Sequence, residues 1–198
     1  MTPIKAVLFD FDDTLTNPGA IDFPALRHDL GISEGDNILA YVDSLPEAEQ
    51  IEKNAILNDY EMRASASASA AEGAEDLILF LMEKSIPLGI ITRNRLKPIM
   101  RSLENFPQIN ADHFKVIVSR DDPFPAKPAA DGVIHAAKIM QVDCQNVLVV
   151  GDYIYDIEAG QNAGAQTAWI NHKENLEFQN KADFEITKLA DLYVILKL

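Results

Sequence analysis

Ile4-Lys5-Ala6-Val7-Leu8-Phe9-Asp10-Phe11-Asp12-Asp13-Thr14-Leu15-Thr16 is a short apolar run that ends in three carboxylates within four residues. Apolar and β-branched residues in such a run read as a strand buried on both faces. In an open parallel sheet, the crevice beyond the carboxyl ends of the strands receives the ligand. Asp10 and Asp12 would project into that crevice from a rigid support, with Phe11 between them turned the other way. Two carboxylates so placed suit a hard cation and an electrophile. The plainer alternative is a strand followed by an acidic turn, and the rest of the chain bears on the choice.

Downstream the pattern alternates. Strand-like runs at residues 88–91, 114–118, 147–150 and 165–170 are separated by helical stretches at 98–106, 129–140 and 154–163, which predicts an α/β fold with a doubly wound parallel sheet. Asp152, in Gly151-Asp152 after the run Val147-Leu148-Val149-Val150, repeats the placement of Asp10 at a second strand end. Residues 182–186 read as an edge strand, and 189–198 as a last helix or irregular cover.

Between the first strand and residue 73 the strand pattern vanishes. Asn17-Pro18-Gly19 is a turn signal. Helices are expected at 23–31, at 36–43 with a cap near Ser33 or Asp36, and after Pro46, with Glu47 and Glu49 in the first turn. On the third helix, Ile51, Ala55 and Met62 share a face with Ile56 and Tyr60. The Ser/Ala tract from residue 64 reads as a helix end or linker, with Gly73 as a hinge. The expected division is a core of residues 1–16 and 74–198 and a small all-helical insert of residues 17–73.

Acidic residues number 31 against 17 basic, for a formal charge of −14, which argues against nucleic acid or an anionic membrane as partner. An anionic substrate would need a local cation and local basic groups to override that field. The single cysteine, Cys144, fits a reducing compartment and a structural thiol. The apolar run before Asp10 is too short for a signal peptide or a membrane span, so a cytoplasmic location is the default. Nothing in these residues bears on oligomeric state.

Four segments in order carry a resemblance to a known family. Asp10-Phe11-Asp12-Asp13-Thr14, then Thr92 after an apolar run, Lys127 in Ala126-Lys127-Pro128, and Gly151-Asp152-Tyr153-Ile154-Tyr155-Asp156 resemble the four motifs of the haloacid dehalogenase-like hydrolases. The resemblance implies a Rossmann-like core with a helical cap, close to the phosphoglycolate-phosphatase branch. It also implies a Mg²⁺-dependent phosphatase that hydrolyses a small phosphorylated metabolite through an aspartyl-phosphate. Asp10 would be the nucleophile and Asp12 the general acid and base, with a raised pKa. Mg²⁺ would be held by the carboxylates of Asp10 and Asp152 and the backbone carbonyl of Asp12. Thr92 and Lys127 would hold the phosphoryl group, and Asp156 would support Lys127 or a metal-bound water. Asp12 favours phosphate chemistry, because the dehalogenases lack an acid there.

Three departures from the family pattern stand out. Asp13 lies where many members have glycine, Glu72 precedes Gly73 where proline is common, and Arg93-Asn94-Arg95 is unusually basic. Arg93 and Asn94 join the substrate-binding candidates, Arg93 for a carboxylate or a second phosphate, against the alternative of a solvated loop. In the insert, Arg27, His28, Tyr41, Lys53 and Arg63 are candidates to face the crevice. The substrate is then either a compact phosphorylated acid or sugar or something larger. A phosphomutase uses the same core, and a receiver-like signalling domain also carries a phosphorylated aspartate. No GxGxxG follows the first strand, which argues against a dinucleotide site.

Overall fold

The computed structural model of the chain describes residues 2–172 and 178–196. Strand β1 (Ala6–Phe9) is buried along its whole length and lies near the centre of a six-stranded sheet. The remaining strands are β2 (Leu88–Ile91), β3 (Val116–Val118), β4 (Val147–Gly151), β5 (Gln166–Ile170) and β6 (Phe184–Ile186). Their order is β3-β2-β1-β4-β5-β6, and every pairing is parallel. A parallel sheet with helices on both faces is the α/β doubly wound architecture. Its order differs from the 2-1-3-4-5 arrangement of receiver domains.

Alternation along β1 assigns each residue to a face. Val7 and Phe9 join a core with Leu77, Ile78 and Leu81 of α4 (Ala74–Glu83), Ile99 and Leu103 of α5 (Leu96–Leu103) and Leu192 of α8 (Leu192–Ile195). Ala6 and Leu8 join the opposite core with Val133, Ala136, Ala137 and Met140 of α6 (Asp131–Met140) and Ala159 of α7 (Ile154–Asn162). Fully burying each Leu or Ile of α4 is worth about 1.5–3 kcal/mol, which clamps that helix to the sheet.

The insert holds α1 (Phe23–Leu30), α2 (Ile38–Asp43) and α3 (Glu47–Ser67). They build a separate small core from Ile21, Leu26, Leu30, Leu57 and Ala64. Asn37, rather than Ser33 or Asp36, caps α2, its side chain accepting from the Ala40 N–H at 3.2 Å. The face expected on α3 is rotated from the one observed. Its buried residues are Leu57, Glu61, Ala64 and Ser65, while Ile51 is 68% exposed. Apolar spacing misses this because an ion pair draws Glu61 inward.

The two connections to the insert are tied to each other. Thr16 and Ala70 form an antiparallel bridge, flanked by Asn17 N–H to Ser69 O at 3.0 Å and Ala71 N–H to Leu15 O at 2.8 Å. Asn105 donates to the carbonyls of Ser65 and Ala68 at 3.0 and 3.1 Å, fixing the end of α3 to the segment after α5. The Ser/Ala tract is helical as far as Ser67.

Other boundaries shift by a few residues. α5 starts at Leu96, with Pro98 in its first turn, where the missing N–H has no helical partner to lose. The edge strand appears as β6. Of the cover expected over 189–198, a 3-10 turn (Leu189–Asp191) and α8 are present, and residues 197 and 198 lie outside the described residues. Among the described residues, no helix is long and apolar enough to cross a membrane.

Candidate active site

Asp10 sits one residue past β1, where its N–H donates to Val150 O at 2.8 Å. Thr92 follows β2 and donates its N–H to Val118 O at 2.9 Å. Asp152 follows β4, and its carbonyl accepts from the Trp169 indole at 2.9 Å. Backbone bonds to neighbouring strands thus set Asp10 and Thr92, and an indole bond sets Asp152, at the carboxyl ends of three adjacent strands.

Lys127, from the loop before α6, reaches the same place. Its buried ammonium donates to Asp10 Oδ1 at 2.6 Å, to the Ile91 carbonyl at 2.9 Å and to Asp156 Oδ1 at 2.5 Å. Burial works against the charge of Lys127, but Asp10 and Asp156 outweigh it and hold its pKa above the ordinary lysine value. Asp156, in the first turn of α7, also accepts from the Tyr153 N–H at 3.1 Å. A Cβ on Gly151 would lie 2.2 Å from the Asp156 Cγ, so only glycine leaves room for that carboxylate. The Gly151-Asp152 pair and the Asp four residues later are therefore one packed arrangement.

One carboxylate oxygen from each of Asp10, Asp152 and Asp156 lies within 4.8 Å of the others. Burial, and then the neighbouring Asp10 and Asp156, push Asp152 well above the usual carboxylate range. Burial followed by Asp156 raises Asp10 to about 7. Three carboxylates facing one ammonium leave negative charge to be balanced, and an all-oxygen donor set fits a hard divalent cation. Both oxygens of Asp156 already accept hydrogen bonds, which leaves Asp10 and Asp152 as the carboxylates with oxygens to offer.

Asp12 stands apart from this cluster. Its Oδ2 accepts from Asn94 Nδ2 at 3.2 Å, and burial raises its pKa to about 6 against the lowering effect of that bond. Asn94 also donates its N–H to Thr92 Oγ1 at 3.0 Å, joining the ends of β1 and β2. Asp13 adopts a left-handed φ of 57°, which aspartate tolerates better than most residues, and its Oδ1 accepts from the Gly19 N–H at 2.9 Å. Its charge still reaches the site and raises Asp12 and Asp152.

The strand ends and the helical insert bound a cavity of about 740 Å³. Arg93 lines it, donating to Asn37 Oδ1 at the start of α2 and lying 4.3 Å over the Tyr155 ring. Arg120, after β3, meets Glu61 of α3 in a two-pronged pair at 2.6 and 3.0 Å and also donates to the Arg93 carbonyl at 3.0 Å. Burial raises the Glu61 pKa, and Arg120 opposes the rise.

Of the insert candidates, Arg27 and His28 line the cavity, while Tyr41, Lys53 and Arg63 do not. Arg27 Nη1 is committed to the carbonyls of Ser33 and Asp36 at 2.9 and 2.8 Å. Arg63 pairs with Asp59 at 2.8 Å. Cys144 is half-buried with a raised pKa, the opposite of an activated thiol.

Sequence reasoning missed Asn37, Glu61, Arg120 and Tyr155. Glu61 did leave a signal. It is the only acid on the helix stripe shared with Leu57, Ala64 and Ser65.

The family profile described as haloacid dehalogenase-like hydrolase matches residues 7–170. An uncharacterised hydrolase of Saccharomyces cerevisiae, YOR131C, is 29% identical over 98% of this chain and 91% of its own. Pyrophosphatase PpaX of Listeria welshimeri is 28% identical over 98% of this chain and 97% of its own. The crystal structure of a hydrolase from Pseudomonas syringae superposes with a TM-score of 0.82 at 20% identity, covering 98% of both chains. With a matching profile across most of its length, the chain belongs to the haloacid dehalogenase-like hydrolases.

Proposed function

We propose that this hydrolase is a Mg²⁺-dependent phosphatase that cleaves a phosphomonoester through an aspartyl-phosphate on Asp10. The observation that carries the reading is convergence. Asp10, Thr92, Lys127 and Asp152 arrive from four separate segments at one end of the sheet and line one cavity. Residues 17–73 are read as a cap over a core of residues 1–16 and 74–198.

Asp10 acts as the nucleophile. Lys127 fixes one of its oxygens at 2.6 Å, so the carboxylate needs no reorganisation before attack. The ammonium also offsets charge on the transferring oxygens as a fixed point charge. The Thr92 hydroxyl accepts from the Asn94 N–H, which leaves its own proton to donate to the phosphoryl group. The carboxylates of Asp10 and Asp152, with the Asp12 carbonyl, would hold Mg²⁺, which would supply positive charge against the negative charge spread over the transferring group.

Asp12, with a pKa near 6, retains a proton often enough to protonate the departing alkoxide. It then takes a proton from the water that attacks the aspartyl-phosphate. Asn94 orients it by the 3.2 Å bond, and Asp156 orients Lys127. A phosphomutase would use these groups but return the phosphoryl group to an acceptor. The deciding experiment measures inorganic phosphate released from p-nitrophenyl phosphate with Mg²⁺ and after chelation. Release that stops with chelator supports the reading, and transfer to an acceptor without free phosphate overturns it.

A further inference from the structure

We infer that the alcohol leaving this site carries a sizeable apolar skeleton, an alkyl or aryl-alkyl group. The inference rests on the phosphatase reading above and names its substrate class.

Size is the first argument. A cavity of about 740 Å³ is in the range that holds a drug-sized ligand, well beyond a phosphate bearing two or three carbons. Surface is the second. The insert lines the cavity with Ile21, Leu26, Ile38, Leu39 and Leu57, interspersed with Arg27, His28, Glu34, Asp36 and Glu61. Leu26 and Leu57 are buried in the insert's own core, while Ile38 and Leu39 are half-buried and keep apolar surface for a ligand to cover.

Charge is the third argument. A second anion, whether a carboxylate or the other half of a phosphoanhydride, needs a cation with donors to spare. Lys127 is spent on Asp10 and Asp156, and both prongs of Arg120 are spent on Glu61. Arg27 is engaged by two carbonyls. Arg93 has no carboxylate at ion-pair distance among the described residues, and Asn37 takes one of its N–H donors while the Tyr155 ring covers its face, so it is the lining cation that keeps donors for an anion. A second anion would also face Glu61 and Asp12, both lining the same space. An apolar group meets none of these costs and gains the wall.

The test follows kcat/KM for phosphate release in Mg²⁺ from ethyl, butyl, hexyl and 4-phenylbutyl phosphate, whose alcohols leave with similar difficulty. 2-Phosphoglycolate and inorganic pyrophosphate serve as anionic competitors. The expected result is a rise of about threefold to fourfold per added methylene until the wall is covered. Hexyl phosphate should then exceed both anionic compounds by about tenfold or more. Leu39→Ser should cut the hexyl-to-ethyl ratio severalfold, whereas Leu39→Met, which keeps the position apolar, should preserve it. A flat or falling series, or preference for either anionic compound, overturns the substrate class while leaving the phosphatase reading intact. Loss of that anionic preference in Arg93→Met would assign the second anion to Arg93. Release from none of the compounds overturns both.

Discussion

The strand side and the helix side of the cavity are built on opposite principles. On the strand side, charges are buried and locked to one another, with Lys127 tied to Asp10, to Asp156 and to a strand carbonyl within 2.9 Å. On the helix side, apolar residues share the wall with Arg27, His28 and Glu61, and the polar ties to the sheet side include Glu61 with Arg120 and Asn37 with Arg93. Chemistry that must not vary is placed on rigid strand ends. The helical layer has its own small core, which can be repacked without disturbing the sheet.

The largest expected effect strikes the strand side. Asp10→Asn should lower turnover of an aryl phosphate by about 10⁴-fold or more while circular dichroism stays that of the wild type. Retained turnover would remove the nucleophile from the charged half and erase the contrast. Asp12→Asn comes next, at about 10²- to 10⁴-fold for alkyl phosphates. The loss should be smaller for p-nitrophenyl phosphate, whose leaving group needs less protonation, and equal losses for the two would deny Asp12 the role of acid.

The tie between the halves should appear in stability rather than chemistry. Glu61→Ala leaves Arg120 largely buried without its carboxylate and should cost about 3 kcal/mol in urea unfolding. The double variant with Arg120→Ala should recover part of that loss. Additive losses would mean that the pair does not couple the insert to the sheet.

The smallest effect is in pH. Asp10 and Asp12 have folded pKa values of about 7 and 6, above the 3.8 of an unperturbed aspartate. For a carboxylate raised by folding, the stabilising contribution is complete below the unfolded value and is lost as pH rises through the folded one. Without metal, these two groups therefore make the chain less stable at about pH 8 than at about pH 5. Mg²⁺ should raise the melting temperature more at the higher pH, where the carboxylates are ionised. An equal shift at both would place the cation elsewhere.

These two halves were not equally legible in the sequence. Asp10, Thr92 and Asp152 follow strands whose apolar runs stand out, and parallel pairing brings strand ends together whatever the loops do. Lys127 needed the order of motifs, because no local pattern says where a loop lysine lands. On α3, apolar spacing points to Ile56 and Tyr60, which pack on the insert core, and also to Ile51, which is exposed, and it passes over the buried stripe of Leu57 and Glu61. Asn37, Arg120 and Tyr155 have partners in other elements, 56 positions away for Asn37 with Arg93 and 59 for Arg120 with Glu61, so no local pattern names them.

Gly151 shows how little freedom the charged half has. A single methyl at that position would sit inside the Asp156 carboxylate, 2.2 Å from its carbon. Displacing Asp156 would loosen Lys127, and Lys127 holds Asp10. The smallest change in side-chain volume behind the fourth strand would thus be transmitted through two ionic contacts to the Asp10 carboxylate. Substitutions at 151, 156 and 127 should accordingly show strong epistasis, so that these positions are inherited as a block while the wall across the cavity drifts.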